Sequence, residues 1–437
     1  MEHPSRDRAV ILGAGIAGLL AARAVAETYG EVVIVDRDPL GPDASPRRGV
    51  PQGRHLHGLL ARGHDQLEAF FPGLVGELVG AGAPKGDMLA NGRLLFGGHR
   101  FRQGPSGLPA LCVSRPVLEA AVRRRVAGLP NVRFLPNHDA VGLLGSSEHV
   151  SGVRLIGRAD GSAVVELQAD LVVDACGRGS RMPAWLESLG MTRPLQEQVR
   201  IGVGYSTRTY RLPSGTMGDD LVAICAPTPA RPRGGGLSLL EGGRCMVTLM
   251  GILGDFPPVD PDGFLGFAGD LALPDIRDAI GEGEALGEPV GHRHPTSTWN
   301  RYDRLHRLPL GLVVVGDAVC ALNPIYGQGM TVAALEAEAL RRQLADRGGF
   351  DPRPFQREVG RIVGGAWALA TGADLAFPGV EGKRTVMSEL IGGYIGRLQA
   401  GAARDPRLGA AFLRVSSLVD PPAAVFRPST ALRVLIA

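Results

Sequence analysis

Lysine is almost missing from this chain: Lys85 and Lys383 are the only two among 47 basic residues, so arginine carries nearly all the positive charge. With 44 acidic residues the formal charge is +3, too small over 437 residues to argue for a nucleic-acid partner. Paired cysteines are missing too. Cys112, Cys176, Cys225, Cys245 and Cys320 are odd in number and never spaced as CxxC. They read as buried free thiols in a reducing cytoplasm. No apolar run reaches ~18 residues, so no transmembrane helix is expected. The opening MEHPSRDR is charged and passes straight into an apolar strand, which predicts a soluble cytoplasmic chain without a signal peptide. No serine sits in a GxSxG elbow, which excludes the usual Ser-nucleophile hydrolase. The histidines His55, His57, His64, His292 and His294 have no Cys or carboxylate at ligand spacing, so no metal is assigned.

Glycine, by contrast, is abundant at 63 residues, and a lone Gly-rich turn therefore means little. The flanks decide. In AVILGAGIAGLLAARAV an apolar strand enters Gly13-x-Gly15-x-x-Gly18, with Ile16 and Ala17 in the loop, and a small-residue helix follows. A second strand, Glu31–Val35, ends at Asp36 and Arg37. Gly13 suits a tight turn, Gly15 a close backbone approach to a pyrophosphate, Gly18 helix–strand packing, and Asp36 a ribose hydroxyl. NAD and FAD share that fingerprint. The stretch GLVVVGDAVCALNPIYGQGM (Gly311–Met330) separates them. An apolar strand runs into Gly316-Asp317, then a Pro324 loop, then Gly327-Gln328-Gly329-Met330 at the start of a helical pattern. Asp317 can accept hydrogen bonds from a ribityl tail, and the helix N-terminus favours negative charge on a reduced flavin.

With SRPVLEAAVRRRV (Ser114–Val126) and ADLVVDACGRGS (Ala169–Ser180), these segments make the chain resemble the FAD-dependent aromatic hydroxylase and squalene-epoxidase-like monooxygenases over about residues 9–345. GVPQGRHLHGLLARG (Gly49–Gly63) and WNRYDRL (Trp299–Leu305) bring it nearer in look to bacterial polyether and terpenoid epoxidases. The resemblance implies an α/β fold: a Rossmann-like FAD-binding domain of glutathione-reductase-like, hydroxylase type, with an inserted antiparallel β-sheet substrate domain and C-terminal helices. It implies FAD, O2 and a flavin hydroperoxide that epoxidises an alkene or hydroxylates a ring. Pro324 and Gly327 then shape the oxygen site, and no acid–base residue is assigned. Arg115 would reach the FAD phosphates, Ala140 would offer backbone to the adenine, and Arg54 would face phosphate. Arg115 also reads as an ordinary surface arginine, and Ala140 as an ordinary loop residue. Most relatives carry Asp-Gly where this chain has Cys176-Gly177, an Asp associated with NADPH contacts. Electrons from NAD(P)H directly, or from reduced flavin made by a separate reductase, both stay open. So does a covalent flavin link at Cys320, against a small buried side chain. A halogenase would normally carry Trp-x-Trp and a tunnel lysine, whereas Trp185, Trp299 and Trp367 stand alone.

The expected FAD-binding domain is discontinuous (1–80, 110–190 and 290–345), with residues 81–109 and 191–289 as the substrate sheet and 346–437 as a helical region. Strand-like runs Val199–Tyr210, Leu221–Ala226, Leu237–Leu240 and Cys245–Gly251 are separated by turns at PRGGG and EGG, with Pro227–Gly236 as a loop. Val222, Ile224, Leu237, Leu239, Met246, Leu249 and Met250 make this sheet apolar. They form either a wall for a lipophilic small molecule or the core behind it, because alternation alone does not say which face is which. Two rival functions share the motifs: an FAD-dependent alkene reductase of the geranylgeranyl-reductase kind, and a non-redox pathway enzyme with structural FAD.

Overall fold

Five short strands of Val, Ile and Leu set the frame. Runs as apolar as Arg8–Leu12 and Glu31–Val35 can be covered on both faces, which suits a parallel sheet between helices. In the computed structural model, which describes residues 6–41, 43–345, 350–382 and 384–436, they do this. The sheet order is Leu312–Val314, Leu171–Asp174, Arg8–Leu12, Glu31–Val35, Val132–Leu135, all parallel. Val10 sits in register between Val172 and Val33, and its side chain has no solvent exposure. Helix Ile16–Val25 packs against helices Arg115–Ala127 and Gly329–Leu344, so the start and the last third of the chain meet over one core. The first five residues and Lys383 lie outside the described residues.

A second sheet is mixed, mostly antiparallel, and eight-stranded. It runs Glu284–Ala285, Val203–Arg211, Arg244–Gly251, Arg233–Leu240, Val222–Cys225, Gly92–Phe96, His99–Arg100, with Val290–His294 also paired to Val203–Arg211. Here the sequence reading needs two corrections. PRGGG is no turn: Arg233–Gly236 are paired along Arg244–Gly251, and glycine is favoured there because a Cβ on Gly235 would press on Leu271 and Leu249. Val199–Tyr210 is two strands, Gln196–Val199 and Val203–Arg211, parted at Gly202, whose φ is +59°. The ambiguity of faces also resolves. Ala223, Val247 and Leu249 form a core with Phe264, Phe267 and Ile276 of the helices Pro261–Gly269 and Asp275–Gly281. Val222, Ile224 and Met250 turn to the other side, toward an open cavity.

From Pro352 onward the chain is helical: Pro352–Asp374, Val386–Ala402, Pro406–Ser416 and Pro428–Ile436. Asp351, Thr385 and Asp405 cap three of these by accepting backbone N–H bonds. Leu398, Leu408 and Val425 close over Leu89, Leu94 and Phe101. Among the described residues no helix is long and apolar enough to cross a membrane.

Candidate active site

At the first glycine motif the backbone does the work. Gly13 has φ +100°, and a Cβ there would stand 2.6 Å from Ala175 O. A Cβ on Gly18 would stand 1.8 Å from Gly13 O, so the loop and the helix touch only because both positions are bare. Gly15 is different: a Cβ there would meet nothing within 4 Å and would project into open space. Asp36, at the end of its strand, accepts from Ala14 N at 2.6 Å and Asp38 N at 2.8 Å, which fixes the loop. Arg47, unnoticed in the sequence, ties this corner together. Its guanidinium donates to Ala14 O at 2.8 Å and to Glu119, and lies 3.4 Å from Asp36 and 3.6 Å from Asp38. Glu119 also accepts from the buried Arg115, at 3.2 Å.

At the second motif Gly316, with φ +65°, donates its N–H to Glu336 at 2.6 Å. Burial, reinforced by Asp317, pushes the Glu336 carboxyl up to about 8, so it is largely protonated at neutral pH. Burial also raises Asp317, while Arg115 and Arg178 draw it back toward the charged form. Gly327 (φ +66°) turns the chain from the Pro324–Tyr326 helical turn into helix Gly329–Leu344. The loop is braced from behind: Tyr326 Oη and Asn323 Nδ2 donate to Asp374 Oδ1, at 2.7 and 2.8 Å. Asp374 Oδ2 is buried with no partner, and burial pushes this carboxyl up to about 6.

Both motifs face one cavity of about 1700 Å³. Gly13, Gly15, Ile16 and Ala17 line it from the first loop, with Asp36 and Arg37 at the strand end. Arg115 and Ala140 reach it from their helix and strand. Gly316, Asp317, Pro324 and the run Gly327-Gln328-Gly329-Met330 line it from the second motif. Two candidates are not on its wall. Gly18 packs inside, and Arg54 is exposed at the end of the one-turn helix Pro51–Arg54 while its neighbour Arg48 faces the cavity instead. Asp174 caps the turn after its strand, accepting from Cys176 N at 3.0 Å and from Ser180. Cys320 is buried beside the wall, which Ala321 supplies.

No family model matches the chain. Over 439 residues it is 34% identical to Protein Rv3254 of Mycobacterium tuberculosis, spanning 95% of this chain and 90% of that protein. It is 29% identical over 355 residues to kynurenine 3-monooxygenase of Salinispora arenicola, covering 75% of this chain and 70% of that one. The flavin-dependent brominase Bmp2 superposes with a TM-score of 0.69 at 16% identity over 98% of this chain and 97% of its own. For Pseudomonas aeruginosa pqsL, described as "a probable FAD-dependent monooxygenase", the TM-score is 0.63 at 18% identity, over 85% and 98%. The chain belongs to one family with Protein Rv3254, and it is similar to FAD-dependent hydroxylase-like proteins. Its fold is the Rossmann-like one of FAD-dependent aromatic hydroxylases, with added antiparallel sheets. The residues present fit FAD: a bare Gly15 edge opens on the cavity, Arg37 and Arg115 face the same space with charge for phosphates, and Asp317 lines it as an acceptor.

A third wall of the cavity was not foreseen as a unit. His55 Nδ1 lies 2.8 Å from Thr207 Oγ1, which lies 2.6 Å from Thr248 Oγ1. The ring of His292 stands 5.5 Å from His55 and is stacked at 6.5 Å on Tyr205. Arg178 donates to His294 Nδ1 at 3.0 Å. Burial lowers all three imidazoles, His55 to about 4 and His294 to about 3, with Arg178 adding to the effect on His292 and His294. They are neutral at physiological pH. Their HxH spacings were visible in the sequence, but only strand pairing of Val290–His294 on Val203–Arg211 brings them to His55.

Proposed function

We propose that this protein is a flavin-dependent monooxygenase that places one oxygen atom from O2 on a lipophilic small molecule, as an epoxide or a hydroxyl group. One observation carries the reading: a single cavity joins both glycine motifs to the apolar sheet face (Val222, Ile224, Met250) and to C-terminal helices that contribute Ile391, Ile395 and Phe412. When bound, FAD supplies the electrons that activate oxygen. This chain's own residues do the remaining work. The Gly13–Gly15 loop and Asp317 would hold the cofactor. The Pro324–Gly327 turn, fixed on Asp374, would present its backbone to the cofactor's side of the cavity. Apolar walls exclude water from the reaction and accept a body without charge. Halogenation has less support. Lys85 is exposed on a strand away from the cavity wall, and Trp299 and Trp367 pack on each other with ring centroids 5.7 Å apart.

The test is isotopic. Purified protein containing FAD is incubated with NADPH, or with a flavin reductase, and a panel of apolar alkenes and phenols under 18O2. A product carrying one 18O is the expected result. A saturated product formed without oxygen would overturn the reading in favour of an alkene reductase, and a product formed anaerobically on oxidised flavin would favour a non-redox role.

A further inference from the structure

Two histidines on one short loop, His55 and His57, both line the cavity, and their hydrogen bonds decide where each ring carries its proton. Thr207 and Thr248 stand opposite each other on paired strands next to this loop. Leu56 N donates to Thr248 Oγ1 at 2.9 Å. Thr248 Oγ1 lies 2.6 Å from Thr207 Oγ1, which lies 2.8 Å from His55 Nδ1. Run from Thr248 through Thr207 to His55, each hydroxyl proton has an acceptor. Run the other way, the Thr248 hydroxyl has none among the described residues. His55 Nδ1 is therefore the acceptor, and the neutral ring carries its proton on Nε2. His57 is the opposite case. Its Nδ1 lies 2.8 Å from His55 O, a carbonyl that can only accept, so Nδ1 carries the proton and Nε2 is bare. Burial lowers both rings, His55 to about 4 and His57 to about 3, so both are neutral. Neither Nε2 has a partner among the described residues, and neither is sealed off from the cavity. The side chains nearest the His55 ring, Thr207, Tyr205 and His292, carry no charge.

We propose that the His55 Nε2–H donates a hydrogen bond to an uncharged oxygen of the substrate, a carbonyl, ether or hydroxyl oxygen. Thr207 and Thr248 are positioning residues that hold the ring in this tautomer. The molecule taken up is then an apolar body with one neutral acceptor oxygen, pinned at that oxygen beside the sheet face. A site built to donate discriminates against an analogue that lacks the acceptor, because its donor is then left unpaired. The proposal rests on the monooxygenase reading of the cavity and names its substrate class.

The experiment uses the FAD-loaded protein and two probes of one shape, tetralone and tetralin, titrated while the flavin absorbance is followed. His55→Phe keeps a ring and removes the N–H. It should weaken tetralone about five-fold or more while leaving tetralin affinity and FAD content unchanged. His55→Gln retains a donor and should recover part of the loss. With 15N-labelled histidine in the unaltered protein, the ring signals should show His55 protonated on Nε2 and His57 on Nδ1. Each signal is assigned by its disappearance in His55→Phe or His57→Phe. Thr207→Val should move the His55 signals away from that tautomer and weaken tetralone but not tetralin, and Thr207→Ser should restore both. His55 found protonated on Nδ1 would overturn the subsite. So would a His55→Phe variant that weakens both probes alike or neither, or one that loses FAD, which would assign the ring to the cofactor. Failure of tetralin itself to perturb the flavin would overturn the apolar chamber, and with it this proposal.

Discussion

The two ends of the cavity are built by opposite means. Around Gly13–Gly18 and Gly316–Gly329 the wall is backbone, shaped by absent side chains and positive φ angles, and each piece is local in sequence. Around Arg178, His55, Tyr205 and His292 the wall is side chains, drawn from segments far apart and brought together only by strand pairing. A backbone wall suits a cofactor that never changes, and a side-chain wall can be rebuilt for another substrate without touching the glycine loops.

Substitutions can break or sharpen that contrast. The largest effect is expected at Gly18. Alanine there would place Cβ 1.8 Å from Gly13 O, so the loop must move, and loss of both folded yield and FAD is the expected outcome in a thermal melt and an absorbance spectrum. Gly15→Ala is the matched control, because its Cβ enters open space; the melt of the apoprotein should be unchanged while FAD is lost. Arg47→Met comes next. It strands Asp36, Asp38 and Glu119 without their shared cation and should cost about 3–5 kcal/mol in denaturant unfolding. Asp317→Ala should weaken FAD binding by about ten-fold or more with little change in apoprotein stability, read by flavin fluorescence on dilution. Full FAD occupancy after that change would remove Asp317 from the cofactor wall.

The smallest effect tests the brace behind the loop. Asp374 has a folded-state value raised to about 6 from an ordinary 3.8, so the folded state holds its proton more tightly than the unfolded chain does. Stability from this group is full below about 4, falls as pH rises through about 6, and is lost above that. Asp374→Asn can still accept from Tyr326 and Asn323. It should therefore leave stability nearly unchanged at pH 4 and raise it by roughly 1–3 kcal/mol at pH 8. A variant less stable than the parent at pH 8 would show that the carboxylate's charge matters more than its burial.

The same division governs what could be read in advance. The strand–Gly–helix–strand–acid order and the Gly316–Met330 stretch are local patterns, and the cavity wall contains nearly every residue named from them. Arg54 lies off the wall while Arg48 lines it, and no periodicity in the sequence distinguishes the two. Arg233–Gly236 read as a turn because glycine and proline punctuate loops, yet bare positions are what a crowded strand pair needs beneath Leu271. Arg47 and Asp374 gave no local signal. Their importance lies in partners far away in sequence, and one chain without its contacts does not display them.

The order of the parallel sheet also has a consequence for how the protein comes into being. Strand Leu312–Val314 is hydrogen-bonded beside Leu171–Asp174, next to the first strand of the chain, and Asp317 follows it directly. At ribosomal speeds the Gly13 loop is made on the order of half a minute before its partner motif. Until then the nascent chain has half a nucleotide cradle and an uncovered sheet edge. On the FAD reading proposed above, cofactor capture is thus a late event by topology alone, and cofactor supply during synthesis should govern yield more than cofactor added to finished chains.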